Sequence, residues 1–325
     1  MKIRKLLSLI LALLLCFTLF ACDTDKDDDD DEDEDEDETE VTTLVDVSGV
    51  TGSKVDVPVA GADLVSGYVD DYFIAIVGAE TVMDDDDKES IRIYYDFTNE
   101  SDESTSVSMA LSTRLEQDGI ENDTAYIYDD AVPESDNKYL DIRPGCTIRV
   151  AEEFVLTTTG NDVTFTIYDW LDDDEELTAT FTPGSLPGAP STDFEITPVA
   201  DPNWLAGLSD KGDVDDYYVA IGDAELTEDW DGEQAVRIYF DFTNNSGEDA
   251  YPGTLEYKAF QDGVELETAY VYDDDVESDD ILYDDIKDGA TVKCSEVFLL
   301  RSKSNIEFEV SDYGDDAIGA EYELY

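Results

Sequence analysis

The stretch SIRIYYDFTNES at residues 90–101 returns as AVRIYFDFTNNS at residues 235–246. Apolar residues fill every second position of both copies, at Ile91, Ile93, Tyr95 and Phe97 and at Val236, Ile238, Phe240 and Phe242. Alternation with a period of two predicts a β-strand with one buried face. We therefore expect the same positions to face a core in both copies.

Further segments repeat at a spacing of about 145 residues, which indicates two homologous domains. DDYFIAIVGAE from Asp70 matches DDYYVAIGDAE from Asp215. EQDGIENDTAYIYDD from Glu116 matches FQDGVELETAYVYDD from Phe260, and RPGCTIRVAEEFVL from Arg143 matches KDGATVKCSEVFLL from Lys287.

The turns between these segments also repeat. Asp118-Gly119 and Asp262-Gly263 separate strand-like runs, and Asp-Gly supplies the positive φ of a tight hairpin. With the closing runs LTATF from Leu177 and GAEYELY from Gly319, each copy has about seven strands, a number that suits a two-sheet sandwich. The predicted fold class is all-β, with two tandem immunoglobulin-like β-sandwich domains that lack the immunoglobulin disulfide.

Three of these motifs carry a resemblance to a known family. They are residues 96–99 (DFTN), 117–119 (QDG) and 145–156 in the first copy, and 241–244, 261–263 and 289–300 in the second. Both copies resemble an uncharacterised Ig-like domain of lipoproteins from Gram-positive bacteria. The resemblance implies an Ig-like sandwich on a lipid anchor, and it implies no known activity.

The domain boundaries follow from composition. We expect a signal peptide at 1–21, an acidic disordered tether and lead-in at 22–67, Ig-like domains at 68–182 and 213–325, and a Pro-rich linker at 183–212. Five of the nine prolines lie between residues 183 and 202. Proline-rich segments are semi-rigid, so the two domains should have a limited range of orientations.

The N-terminus has the pattern of a secretory signal. A basic start precedes an apolar run from Leu6, and Ala21 precedes Cys22. Residues 19–22 (LFAC) resemble the bacterial lipobox, although Phe20 departs from its usual small or β-branched residue. We expect acylated Cys22 to anchor the chain at the outer face of the cell membrane, where two acyl chains suffice. An ordinary signal peptide with an incidental Cys22 is the alternative.

Charge and composition exclude several classes of function. The net charge is −67, and residues 27–38 are all acidic, so we expect no binding to nucleic acid. Histidine is absent, which removes Ser-His-Asp and Cys-His nucleophiles and the usual zinc ligand sets. We expect no cofactor, and with 85 acidic residues carboxylate pairs carry no information.

Two acidic loops recur in both copies. Residues 84–87 match residues 229–232 (DWDG), but the pattern of an EF-hand is not completed, and we interpret both as solvated hairpin loops. Tyr128-Asp129-Asp130 and Tyr272-Asp273-Asp274 are the best candidates for weak calcium binding.

Two sets of side chains have alternative interpretations. The outward pairs Arg92/Tyr94 and Arg237/Tyr239 are either a binding surface or, as we favour, cross-strand pairs that support the sheet. Cys146 and Cys294 should not form a disulfide, because Cys294 should lie in the second core. Glu152 and Glu296 share this inward register, which suggests a β-bulge within their strands.

We expect a noncatalytic binding module that recognises an unknown protein or envelope ligand. The alternatives are a carboxylate-dependent hydrolase of envelope sugars, which would need two suitably spaced carboxyls, and a structural spacer.

Overall fold

The computed structural model describes residues 65–127, 132–169, 172–190, 204–271, 276–313 and 316–324. The predicted signal, Cys22, the acidic tether and both calcium candidates lie outside these ranges. Among the described residues, no helix is long and apolar enough to cross a membrane.

The described residues of the first repeat form eight strands. They are β1 (Val65–Val69), β2 (Tyr72–Met83), β3 (Glu89–Asn99), β4 (Ser112–Gln117), β5 (Ile120–Glu121), β6 (Thr147–Val155), β7 (Val163–Asp169) and β8 (Asp172–Phe181). They form two antiparallel sheets with the orders β1-β2-β3-β6 and β5-β4-β7-β8. A short helix, Val107–Ala110, leads into β4, and 3-10 turns cover Pro133–Ser135, Asn137–Tyr139 and Pro183–Ser185.

The second repeat has the same arrangement. Its strands are β9 (Lys211–Val214), β10 (Tyr217–Glu228), β11 (Gln234–Asn244), β12 (Glu256–Gln261), β13 (Val264–Glu265), β14 (Thr291–Leu299), β15 (Ile306–Ser311) and β16 (Ala317–Tyr322). The sheet orders are β14-β11-β10-β9 and β13-β12-β15-β16. The helix Glu277–Asp280 and the 3-10 turns Pro252–Thr254 and Ile281–Tyr283 complete it.

Each repeat is a β-sandwich with its core between the two sheets, which confirms the predicted fold class. The alternating residues of β3 and β11 are fully buried there, together with Val163, Phe165 and Ile167 in one core and Ile306, Phe308 and Val310 in the other. Asp118 and Asp262 have positive φ, as do the glycines that follow them, so both Asp-Gly turns are the expected hairpins.

Strand β3 differs from the prediction of one buried face, because both of its faces are buried. Its outward residues Arg92, Tyr94 and Asp96 lie beneath residues 122–127 and 132–142, which we call the covering segment of the first repeat. Residues 266–271 and 276–286 form the covering segment of the second repeat. Their described parts pack against β6 and β14 respectively.

The bulge suggested by Glu152 and Glu296 is absent. Both β3–β6 and β11–β14 pair without a change of register. The register shifts lie instead in β2, between Ile76 and Gly78, and in β10, between Ile221 and Ala224. Both glutamates therefore keep the inward register.

The two repeats contact each other along a seam, where residues 141–143 of the first lie against residues 263–265 of the second. Ile142 forms an antiparallel bridge with Val264, which packs into the first core. Arg143 N–H donates to the Gly263 carbonyl at 2.9 Å, and Glu265 N–H donates to the Asp141 carbonyl at 2.9 Å. Because backbone hydrogen bonds of this kind fix register, the repeats are joined in a defined orientation.

Charged side chains flank the seam. The Arg143 guanidinium lies 3.8 Å from the centre of the Phe260 ring and 2.9 Å from Glu309. Lys258 Nζ lies 2.8 Å from Asp141. Gly263 has a φ of +78° and lies so close to Cys146 that a Cβ there would overlap the sulfur, so this position requires glycine.

Part of the predicted linker also has a defined place. Gly188 forms a bridge with Ala79 at the bulge in β2, so this part of the segment is bound to the first repeat. Trp204, which begins the next described range, packs partly buried against the first core.

Candidate functional site

Arg92 is buried on the outward face of β3 between two glutamates. It lies directly opposite Glu80 on β2 and Glu153 on β6, and its Nε donates to Glu153 Oε1 at 2.7 Å. Ser135 of the covering segment donates to the same oxygen at 2.6 Å. The cluster therefore fastens the covering segment to the sheet.

Arg237 does the same in the second repeat with a different partner. The residue opposite it on β14 is Val297, and the equivalent of Ser135 is Asp279, which accepts from Arg237 Nη2 at 2.8 Å. The carboxylate has moved from the strand to the covering segment, and the arginine keeps its ion pair. Each repeat therefore has a buried arginine–carboxylate pair beneath its covering segment.

The tyrosines beside these arginines complete the clusters. Tyr94 donates to Glu80 at 2.7 Å, and Tyr239 donates to Glu225 at 2.6 Å. Burial and the nearby Glu225 raise the pKa of Tyr239 to about 12. The structure thus supports the cross-strand interpretation of both Arg/Tyr pairs, because the arginines are too buried to form a binding surface.

The outer side of each covering segment exposes tyrosines. Tyr126 and Tyr139 are 73% and 63% exposed, and the equivalent Tyr270 and Tyr283 are 81% and 78% exposed. We call these four residues the tyrosine surfaces. Burial, Glu296 and Tyr270 raise the pKa of Tyr283. Large exposed aromatic residues at matching places mark contact surfaces more often than single exposed residues do.

Neighbouring residues distinguish the two tyrosine surfaces. Lys138 Nζ lies 5.2 Å from the centre of the Tyr139 ring, whereas the equivalent Leu282 is buried. Trp230 is exposed beside the second surface, where its backbone N–H donates to the Tyr270 carbonyl at 2.9 Å. The equivalent contact in the first repeat is made by Asp85, whose backbone N–H donates to the Tyr126 carbonyl. The second surface is therefore more aromatic.

The tyrosine surfaces were not predicted from the sequence. A signal was present, because Tyr126 and Tyr270 belong to the repeated TAY motif, and Tyr139 and Tyr283 recur before the next strand. These tyrosines lie outside the alternating strands, where an aromatic residue has no predicted core to enter.

The acidic loops have a structural role within the described residues. Asp84 Oδ1 accepts from the N–H groups of Asp86 and Lys88, and Asp229 Oδ1 accepts from those of Asp231 and Glu233. Each carboxylate thus stabilises its own turn, in agreement with the hairpin-loop interpretation. No cluster of three or more metal-ligating side chains occurs in the described part of the chain.

The two described cysteines are free, which confirms that they form no disulfide. Cys294 is fully buried in the second core, as predicted, and Cys146 is buried at the seam. Burial raises the pKa of both thiols to about 12, so neither is activated as a nucleophile.

Comparison with known proteins identifies the repeat. A family model described as a domain of unknown function (DUF5067) matches residues 66–169 and 208–312. These matches confirm the resemblance of both copies to an uncharacterised domain family. Among curated proteins, none matches the chain.

Three solved structures have weak similarity. One is described as a "putative lipoprotein" from Staphylococcus aureus subsp. aureus NCTC 8325; it is 18% identical over 35% of this chain and 88% of its own, with a TM-score of 0.31. The exo-chitosanase CsxA of Amycolatopsis orientalis is 11% identical over 74% of this chain and 26% of its own, with a TM-score of 0.20. A partial N-terminal region of an enterococcal surface protein is 10% identical over 84% of this chain and 99% of its own, with a TM-score of 0.18. These TM-scores are too low to inform function.

Proposed function

Because this chain belongs to the DUF5067 family and carries two of its domains in tandem, we propose that it is a lipid-anchored, extracytoplasmic protein with noncatalytic binding modules. The observation that carries the binding role is the pair of tyrosine surfaces. A spacer has no need of large exposed aromatic residues at the same place in both domains, whereas a contact surface does.

The anchor is proposed from the sequence. Ala21 and Cys22 follow the apolar run directly, and the acidic run at residues 27–38 would hold the domains away from the membrane by self-repulsion. A partner in the cell envelope would then meet the tyrosine surfaces at the outer face of the membrane.

The positions of the carboxyls with a raised pKa favour a binding role over hydrolysis. A hydrolase of the expected kind needs two carboxyls about 5–10 Å apart beside an open cleft, one with a raised pKa. Burial raises the pKa of Glu265 and Glu307 to about 7, but both belong to the seam, near Lys258 and Arg143. Burial also raises the pKa of Glu296 to about 7, and this residue faces the core of the second repeat, opposite Ile238.

Co-sedimentation with the isolated cell envelope of the parent organism tests the proposal. Residues 43–325, which form a compact unit, should sediment with the envelope, and a variant with all four surface tyrosines changed to alanine should remain in solution. Tyr68→Ala is the matched control, because Tyr68 is an exposed tyrosine on β1, at the opposite edge of the sheet from β6. Measurement with and without calcium separates any role of the acidic clusters. Equal sedimentation of all variants, or none by the wild type, would contradict the binding role.

A further inference from the structure

The seam uses a different element from each repeat. The first repeat contributes residues 141–143, and the second contributes its β12–β13 hairpin. Each repeat therefore also has an element that is equivalent to the one used by the other repeat but that takes no part in the seam. The counterparts are the β4–β5 hairpin of the first repeat, with residues 119–121 at its tip, and residues 285–287 of the second.

The unused hairpin exposes an apolar side chain. Ile120 occupies the position of Val264, yet Ile120 is 65% exposed and Val264 is 1% exposed. Strand β5 is also the edge of its sheet, as β13 is, but β13 meets Ile142 across the seam. An exposed edge with an apolar residue at its tip is a template for pairing with another chain.

The charges around the two unused elements are complementary. At the seam, Lys258 pairs with Asp141; the equivalent residues on the unused elements are Arg114 and Asp285, again of opposite charge. Arg143 stacks on Phe260 at the seam, and its equivalent Lys287 would face Glu116, the equivalent of Phe260. The first repeat has Glu116 where the second has Phe260, and the Glu116 carboxylate could pair with Lys287 of another copy.

The remaining differences lower the strength of such a contact. Arg143 also meets Glu307 and Glu309 at the seam, whereas threonine occupies both equivalent positions of the first repeat. Lys287 and Arg114 already make ion pairs with Asp249 and Glu176, but these pairs are exposed and cost little to exchange. A second contact should thus form with lower affinity than the intramolecular seam.

We propose that separate copies of this chain associate head to tail, with the β4–β5 hairpin of one copy pairing with residues 285–287 of the next as the β12–β13 hairpin pairs with residues 141–143. Ile120 would then lie against Ile286, the equivalent of Ile142. Such an interface is heterologous, so an open assembly keeps one unused element at each end and can add further copies. Anchoring would concentrate the chains and favour this contact.

Sedimentation velocity on residues 43–325 tests the proposal directly, since these residues form one compact unit. At roughly 0.15 M salt, where screening beyond about 8 Å limits the repulsion between the acidic chains, the mean mass should rise beyond that of a dimer as the concentration approaches about 1 mM. Ile120→Asp should weaken association by about tenfold or more. Met83→Asp is the control, because Met83 is also exposed but lies at the end of β2.

Charge reversal tests the orientation. Lys287→Glu alone should weaken association, since it would face Glu116, and Glu116→Lys together with Lys287→Glu should restore it. A chain that stays monomeric at every concentration overturns the proposal. Association that stops at a dimer, or that is insensitive to Ile120→Asp while the circular dichroism spectrum is unchanged, overturns it as well.

Discussion

Glu152 and Glu296 hold the same inward position in the two repeats, but their surroundings differ. Glu152 accepts hydrogen bonds from Tyr95 at 2.8 Å and from Thr113 at 2.6 Å. At the equivalent positions in the second repeat, Phe240 has no hydroxyl and the Tyr257 hydroxyl donates instead to the Pro252 carbonyl at 2.8 Å. The two rings stack with centres 4.7 Å apart. Burial raises the pKa of Glu296 to about 7.

Glu296→Gln should therefore stabilise the protein at neutral and alkaline pH. The folded state binds the Glu296 proton more tightly than the unfolded state, so the stability that this carboxyl contributes is present below pH 4.5 and is lost as the pH rises through 7. At pH 8 the glutamine variant should gain about 1–3 kcal/mol in free energy of unfolding, and the gain should vanish near pH 4. Urea unfolding across this pH range measures it.

Glu152→Gln is the matched control and should have the opposite effect. Its amide group would face the Tyr95 or Thr113 hydroxyl with a second donor, which should cost about 1 kcal/mol at neutral pH. If both variants were more stable than the wild type, the hydrogen bonds from Tyr95 and Thr113 would not stabilise the Glu152 carboxylate as we expect.

Arg92→Ala should detach the covering segment of the first repeat. The change leaves Glu153 buried without its cation, which should cost about 3 kcal/mol. Hydrogen exchange should accelerate in the covering segment, first at Ala125, whose N–H donates to the Glu153 carbonyl. Arg114→Ala removes an exposed ion pair and should cost less than about 1 kcal/mol. If Arg114→Ala proved as costly, the fastening role of Arg92 would be wrong.

Arg143→Ala should uncouple the unfolding of the two repeats. Arg143 is buried at the seam, and its loss leaves Glu309 without its partner and Phe260 partly uncovered. We expect one calorimetric transition in residues 43–325 to separate into two. Lys287→Ala, at the equivalent exposed position, should leave a single transition at micromolar concentration. A single transition in both variants would show that Arg143 is not needed for coupling.

Mass spectrometry of the mature N-terminus tests the anchor. We expect cleavage after Ala21 and a diacylated or triacylated Cys22, because an apolar run and a small residue precede this cysteine directly. Cys22→Ser should release the protein from the membrane fraction, whereas Cys16→Ser should have no effect. Cleavage at another residue, or an unmodified Cys22, would end the lipoprotein proposal.

The sequence predicted the strands because their apolar residues alternate locally. Local alternation alone was enough to predict the burial of Ile91, Ile93, Tyr95 and Phe97 in a core. The covering segments were not predicted, since the burial of Arg92 depends on Ser135 and other residues distant in sequence.

The seam could not be predicted from the repeated sequence either. Ile120 and Val264 look equivalent in sequence, and only the contact between repeats makes one exposed and the other buried. The linker prolines indicated restricted orientation, but no local pattern shows that residues 141–143 meet residues 263–265.

We propose that the tyrosine surfaces are where this protein contacts a partner in the cell envelope. Iodination of residues 43–325 with and without isolated envelope, followed by peptide mass spectrometry, tests it most directly. We predict that Tyr126, Tyr139, Tyr270 and Tyr283 react readily in the free protein and are protected when it is bound, while exposed Tyr68 reacts equally in both states. Bound protein in which these four tyrosines react as they do in solution would contradict the account.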